Sequence, residues 1–239
     1  MNCALIFAGG TGKRMNTNGI PKQFLELYGK PIIIYTLEKF ENHDSIDAIV
    51  ISCLADYIPK MWKLCRKFHI TKVAAIVAGG STGQESIYNG LVKVDELFGD
   101  DAIVLVHDGV RPLVDPDTIT KCIRSVEECG SAITVTPANE TIFLGNQGGQ
   151  VGEILDRSQC EVAKAPQCFH AGDLLSAHEK ARKENRIDFI DSANLMRWYG
   201  HTLYTVQGRT ENIKITTPVD FYIFKAIITA KESSNAFGL

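Results

Sequence analysis

The sequence contains no apolar run long enough to cross a bilayer, because a spanning helix needs about 20 consecutive apolar residues. It contains no Cys-x-x-Cys pair. Its seven cysteines are scattered without zinc-ligand spacing, which argues against a structural zinc site or a disulfide framework and reads as reduced thiols in a cytoplasmic protein. A basic excess is also missing: 25 Lys and Arg against 28 Asp and Glu leave a formal net charge of -3. Nothing therefore directs the chain to nucleic acid, although a local cationic pocket is compatible with that balance. The apolar stretch 1–8 is too short for a signal peptide and runs straight into a glycine loop. There is no internal repeat and no low-complexity linker. What is present is 239 residues, 45% of them hydrophobic, enough for one large domain with a sizeable core.

Apolar runs at 3–8, 48–53, 73–77 and 102–106 alternate with helical patterns at 31–40, 57–68, 82–98 and 116–129. The runs are continuous, as strands covered on both faces are. In 31–40, Pro31 stands at a first-turn position and Ile33, Leu37 and Phe40 make one stripe. Strands separated by helices predict a parallel sheet with right-handed crossovers. After a strand at 132–136 the pattern changes. Gly145, Gly148, Gly149 and Gly152 break up short apolar stretches in 141–156, which predicts a protruding hairpin arm at about 138–160. An exposed hairpin needs a cover, so the arm predicts a homodimer contact. A helix at 171–184 and strands at 202–206 and 212–216 follow. A last helix opens on Thr217-Pro218-Val219-Asp220, close to a capping box with Pro at its first position. Its stripe of Phe221, Phe224 and Ile228 is expected on the sheet, and the tail 233–239 is expected to fray. The fold class is α/β: one domain over 1–239, a Rossmann-like, mostly parallel sheet flanked by helices, with a protruding β-arm.

The strongest local signal is Ala8-Gly9-Gly10-Thr11-Gly12-Lys13-Arg14-Met15, directly after the first strand, with Pro21-Lys22-Gln23 beyond it. Glycines let backbone N–H groups approach phosphate oxygens, and an arginine grips phosphate with a planar fork. A dinucleotide site would need a third glycine where Met15 stands and an acidic residue after the second strand, which ends Ile51-Ser52-Cys53. A P-loop would need Ser or Thr at Arg14. The remaining alternative is a glycine turn with a solvated basic face.

This loop with Pro21-Lys22-Gln23 resembles the signature of the sugar-nucleotide and polyol-phosphate nucleotidyltransferases. The resemblance continues through His107-Asp108-Gly109-Val110-Arg111-Pro112, Ala165-Pro166-Gln167-Cys168-Phe169 and Glu211-Asn212-Ile213-Lys214-Ile215-Thr216-Thr217-Pro218. Two branches of that family are relevant: the methylerythritol phosphate cytidylyltransferases and the ribitol-5-phosphate cytidylyltransferases. The first has threonines where this sequence has Ala165 and, in Ile190-Asp191-Ser192-Ala193, Ile190. Conversely, Pro21-Lys22-Gln23-Phe24-Leu25-Glu26, Lys30-Pro31-Ile32-Ile33 and Ala163-Lys164-Ala165-Pro166-Gln167 look like the CDP-ribitol enzymes. The resemblance thus implies a Mg²⁺-dependent cytidylyltransferase that makes a CDP-polyol, with CDP-ribitol ahead of the methylerythritol product. The non-enzyme alternative is a catalytically silent nucleotide-binding module. An intact set of Arg14, Lys22, Asp108 and Lys214 speaks for turnover.

Attack of one phosphate on another requires positioning and cations more than covalent catalysis. The resemblance implies Gly9, Gly10, Gly12, Arg14 and Lys22 at the CTP triphosphate, and Lys214 at the α-phosphate. Asp108 follows a buried strand at the edge where α/β ligands bind. It suits Mg²⁺, and it could equally orient the acceptor or cap the next helix. Glu211 is the second candidate carboxylate for the metal. Cytosine recognition is assigned to Ala8, Gly80, Ser81 and Ser86, although Ser81 or Thr82 could simply cap a helix. The polyol phosphate is assigned to Arg111, Thr141, Arg157 and Lys164. Arg111 could instead brace Asp108, and Arg157 could be a surface pair. Thr141 and Arg157 bracket the arm and are expected to complete the partner subunit's site. His107, Trp62 and Trp198 read as packing residues.

Overall fold

The apolar runs form strands, and their alternate side chains feed two separate cores. The computed structural model describes residues 1–10, 19–146 and 148–237, with side chains as far as residue 233. In chain order it holds β1 (Asn2–Ala8), β2 (Glu26–Leu27), β3 (Lys30–Pro31), α1 (Ile32–Glu41), β4 (Ala48–Cys53), α2 (Ile58–Lys67), β5 (Val73–Ala78), α3 (Gly83–Phe98) and β6 (Ile103–Asp108). Then come α4 (Pro116–Cys129), β7 (Ser131–Pro137), β8 (Phe143–Gly145), β9 (Val151–Ile154), β10 (Glu161–His170), α5 (Ala171–Lys183), α6 (Ser192–Trp198), β11 (Thr205–Gln207) and α7 (Pro218–Phe237).

The main sheet has seven strands in the order β11-β7-β10-β6-β1-β4-β5. Only β10 runs against its neighbours; the other pairings are parallel. From β1 the sheet grows first toward β4 and β5, then on the other side from β6. The switch therefore falls at β1, where the carboxyl ends of α/β strands leave a crevice. Along β1, Ala4, Ile6 and Ala8 enter the core beneath α1, α2 and α4, while Cys3 and Leu5 enter the core beneath α3 and α5. This period of two is what a pleated strand imposes. Burying one such large side chain contributes about 1.5–3 kcal/mol.

The helices begin where their caps require. Thr82 accepts from Glu85 N at the start of α3, Asp115 accepts from Thr118 N ahead of Pro116 in α4, and Asp191 accepts from Asn194 N before α6. Thr217 and Asp220 exchange hydrogen bonds as a capping box at α7. Asp108 caps nothing, since Asp115 holds that position in α4. Gly109 is required by a close approach: a Cβ there would lie 2.6 Å from Ile33 Cδ1 and 2.9 Å from Ala8 Cβ.

Several expectations need correction. The antiparallel β10 was not predicted. Pro166 has no N–H for a ladder, and the register of β10 against β7 shifts between Ala163 and Gln167. The short α6 was also missed. Residues 212–216 form no strand; Ile215 N reaches Val110 O at 2.9 Å instead. Pro31 caps α1 rather than starting it. Phe221, Phe224 and Ile228 pack not on the sheet but in a third cluster with Leu27, Ile32, Val110 and Ile215. The helix expected to fray at 233 runs to Phe237.

This third cluster fastens the loop after β6, the segment before α7 and the β2–β3 hairpin to one another, and Phe224 is fully buried in it with Tyr35 edge-on at 5.2 Å. Phe224→Ala is expected to lower the free energy of unfolding in urea by about 3–5 kcal/mol, and a loss below about 1 kcal/mol would contradict this packing.

Candidate functional site

Three strand ends build the site. After β1 the chain turns through Gly9 and Gly10, after β5 through Gly79 and Gly80, and β6 ends on Asp108. Ser86, from the first turn of α3, bonds to the turn after β5 and lies close against the turn after β1. Its Oγ accepts from Gly80 N at 3.0 Å and donates to Thr82 O at 2.8 Å. A Cβ on either Gly9 or Gly79 would come within 2.9 Å of that oxygen, so both turns need glycine to close on it. Gln23, 1% exposed, donates from Nε2 to Ala8 O at 2.7 Å and fixes the end of β1 against the turn that carries Lys22.

Two hollows open at this edge. One, of about 320 Å³, is lined by Gly9, Gly10, Lys22, Gly80, Ser81 and Ser86 among others. The second, of about 360 Å³, is lined by Arg111, Lys164, Gln167, His178 and Asp191, with an apolar wall that includes Ile87 and Phe189. Phe7, Thr82, Gly83, Asp108 and Lys214 line both, so the Asp108–Lys214 pair stands where the hollows meet.

Lys214 Nζ lies 2.5 Å from Asp108 Oδ1, and Arg111 Nε lies 3.2 Å from Oδ2. Burial by itself pushes the Asp108 carboxyl up, but Arg111 and Lys214 together hold it below its ordinary value. Lys164 is lowered from the usual lysine value, first by burial and then by Arg111. Two cations thus hold one carboxylate and a third, Lys164, lies near Arg111, which suits the second hollow to an anion. The arrangement is held from behind. Arg111 Nη1 donates to Asn212 O at 2.7 Å, Asn212 Nδ2 donates to Ala165 O at 2.7 Å, and Lys164 Nζ reaches Thr210 O and Asn212 O at 3.3 and 3.4 Å. The β10 register shift matters here, because Lys164 and Ala165 lie within it and line the second hollow. His107 is fully buried, and its Nε2–H donates to Arg111 O at 3.0 Å.

Most of the expected residues meet here. Ala8, Gly9, Gly10, Lys22, Gly80, Ser81, Ser86, Asp108 and Lys214 line the first hollow, and Arg111 and Lys164 line the second. Arg111 braces Asp108 and also faces the hollow, so the two readings of it coexist. Ser81 donates through both N and Oγ to Glu85 Oε2, at 2.7 and 2.8 Å. Gly12 and Arg14 lie outside the described residues. Thr141 is exposed and lines neither hollow, and Arg157 sits in a separate recess at the base of the arm, donating to Asn139 O at 3.0 Å. Glu211 is exposed, touches the Thr210 hydroxyl and lines neither hollow. Trp198 packs at the surface: it is 60% exposed, with the Phe189 ring centroid 6.2 Å away and the Arg186 guanidinium 3.9 Å from its ring centroid. Gln23, Gln167 and Asn212 stand inside the sequence motifs without a charge or reactive group to signal a role. Gln167 bridges Asp191 Oδ2 and Ala193 N at 3.0 and 2.9 Å. Among the described residues no three or more His, Cys, Asp or Glu side chains gather as a metal site, and no helix is long and apolar enough to cross a membrane.

The family model for 2-C-methyl-D-erythritol 4-phosphate cytidylyltransferase (IspD) matches residues 2–230. The chain belongs to the IspD cytidylyltransferase family. It is 51% identical over 238 residues to a ribitol-5-phosphate cytidylyltransferase of Vibrio parahaemolyticus, covering 100% of both chains. It is 40% identical over 227 residues to a 2-C-methyl-D-erythritol 4-phosphate cytidylyltransferase of Clostridium botulinum, covering 95% of this chain and 97% of that one. The crystal structure of 4-diphosphocytidyl-2C-methyl-D-erythritol synthase from Anaerococcus prevotii superposes with a TM-score of 0.83 at 23% identity, covering 95% of this chain and 96% of that one, a likeness of fold. The two hollows of this IspD-family chain therefore lie at the strand ends of a nucleotidyltransferase-like α/β domain.

The buried histidines give the family member a pH signature. Burial holds His107 and His178 each down to about 4 from 6.5, so both are neutral when folded and take up protons near 6.5 when unfolded. Stability is complete above pH 6.5 and falls as pH drops from 6.5 to 4, by about 3 kcal/mol per histidine. The contribution of Asp108, held below 3.8, is lost only at lower pH. His178→Leu is expected to flatten the fall of urea midpoints across that window; an unchanged slope would contradict the neutral buried state.

Proposed function

We propose that this chain joins CTP and ribitol 5-phosphate into CDP-ribitol and pyrophosphate. The observation that carries the transfer chemistry is the Asp108–Lys214 pair shared by both hollows. It offers one cation to two phosphates that arrive from opposite sides. The acceptor is argued from the full-length relative at 51% identity and from Ala165 and Ile190, which carry no hydroxyl where the methylerythritol branch has threonine.

The nucleotide occupies the first hollow, with its triphosphate along Gly9, Gly10 and Gly12 and against Lys22 and Arg14. Cytosine lies by Gly80, Ser81 and Ser86, near the Ala8 carbonyl that Gln23 already engages. The acceptor phosphate enters the second hollow beside Arg111 and Lys164. An acceptor phosphate oxygen forms a bond to the α-phosphorus as the bond to the bridging oxygen of pyrophosphate breaks. Lys214 faces the α-phosphate and Lys22 the departing pyrophosphate, the role the sequence motif also gives Arg14. Cations held at these points stabilise the charge that builds on the phosphates, and holding both reactants adds the advantage of proximity. Mg²⁺ suits a site of one carboxylate plus phosphate oxygens; Asp108 lines both hollows, but its two oxygens already hold Lys214 and Arg111, so the ion would be held chiefly by the triphosphate oxygens, whose charge it would neutralise. Glu211 lines neither hollow and acts on the site only through the charge of Lys164.

The arm supports a homodimer. Phe143, Leu144, Val151 and Ile154 are 51–64% exposed on β8 and β9, a surface that calls for a cover. In that dimer Thr141 and Arg157 serve the acceptor of the partner subunit. The thiol-rich, span-free chain is assigned to the cytoplasm.

Pyrophosphate release measured with CTP, Mg²⁺ and either polyol phosphate tests the reading, on a sample expected to sediment as a dimer. Turnover should require the acceptor and favour ribitol 5-phosphate. Lys22→Met and Lys214→Met should each lower kcat by about 10²–10³-fold. Preference for methylerythritol 4-phosphate would replace the acceptor; binding of CTP without turnover on either would leave a silent nucleotide-binding module.

A further inference from the structure

The segment that carries Lys214 has no sheet to hold it. Residues 212–216 make no ladder, yet Lys214 is set 2.5 Å from a buried carboxylate. On the C-terminal side the segment is fixed by Ile215, fully buried, with its N–H on Val110 O. On the N-terminal side it is fixed by Asn212, also fully buried. A fully buried amide is costly unless its hydrogen bonds are made inside the protein. Of the Asn212 side-chain amide, Nδ2 donates to Ala165 O at 2.7 Å, while Oδ1 meets no partner among the described residues; the main-chain carbonyl of Asn212 accepts from Arg111 Nη1 at 2.7 Å and from Lys164 Nζ at 3.4 Å. Asn212 therefore contacts the two other elements that bring cations to the second hollow, the turn after β6 and the irregular stretch of β10, and it stands two residues from Lys214.

We propose that Asn212 is a positioning residue, which holds Arg111, Lys164 and Lys214 in one register so that three cations converge on the reacting phosphates. It acts through those side chains and touches neither substrate. The inference rests on the cytidylyltransferase reading above and deepens it. The residue type follows from the surroundings. The Ala165 carbonyl needs a donor, which an aspartate of the same shape cannot give. A carboxylate at that point would also stand beside Arg111 and Lys164 and compete with phosphate for them. Asparagine supplies the donor and adds no charge.

N212A and N212D, made in the full chain, test this through kcat, the KM of the polyol phosphate, CTP affinity by calorimetry, and thermal melting. N212A is expected to lower kcat by about 10²-fold, the scale of a misplacement of about 1 Å, with CTP affinity unchanged. N212D keeps the volume, so a space-filling role would leave it at the parent rate; positioning predicts a deeper loss than in N212A and a raised KM for the polyol phosphate. Parent-like kcat in N212D, or a defect confined to CTP affinity, would overturn the proposal. If N212A does not fold, N212D decides; if neither folds, Asn212 belongs to the stability of the domain and the positioning role is refuted. A parent chain inert toward both polyol phosphates would instead sink the activity itself, a result distinct from an active parent with an unaffected variant.

Discussion

Burial strips the Asp108 carboxylate of water, and that alone would drive it toward its neutral form; Arg111 and Lys214 reverse the balance. Two cations held on one buried carboxylate are the constraint around which this molecule is organised. The carboxylate keeps Arg111 and Lys214 together despite their mutual repulsion. In return, the cations keep a charge ionised where few water molecules reach it. Lys164 adds a third positive charge nearby, so the group retains an excess of positive charge for anions. An ordinary surface ion pair contributes little. This one differs because its carboxylate is 5% exposed and is contacted from two chain segments.

The scaffold serves that constraint. The switch in strand order at β1 opens the crevice, and three glycine-bearing strand ends line it. Ser86 and Gln23 then fix the turns that the glycines allow. On the far side, the interruption of β10 around Pro166 takes Lys164 and Ala165 out of the regular ladder and into the wall of the second hollow. Regular structure supplies the platform, and three local departures from it supply the charges: the turn after β6, the shifted register in β10 and the strandless stretch before α7. The third hydrophobic cluster keeps the first and last of these in contact through Val110 and Ile215.

The parts of this arrangement that could be read from the sequence are those with a strong period or a charge. Continuous apolar runs marked β1, β4, β5 and β6, the periodic pattern over 116–129 marked α4, and Thr217-Pro218 marked the start of α7. Glycines followed by cations, together with Asp108 and Lys214 in their motifs, marked the site. What escaped notice lacks such a signal. The strand β10 carries Lys164, Pro166 and Gln167 in its middle and so does not read as a buried strand. The seven-residue α6 is too short to show a helical stripe. The stretch 212–216 has a strand-like composition, yet its hydrogen bonds go to a turn and a side-chain network. Trp198, read as a packing residue, packs at the surface against Phe189 and Arg186. The neutral amides Gln23, Gln167 and Asn212 are invisible to charge and periodicity arguments, because their roles depend on carbonyl groups brought close only by folding. Thr141, Arg157 and Glu211 line neither hollow of the single chain, a separation that tertiary structure alone decides.

The most direct test of the shared junction is a crystal structure of the protein with CDP-ribitol. The account predicts cytidine in the hollow of Gly9, Gly80 and Ser86, ribitol in the hollow of Arg111 and Lys164, and Lys214 Nζ within hydrogen-bonding distance of the diphosphate that joins them. A diphosphate bound away from Lys214, or both halves of the molecule seated in one hollow, would contradict it.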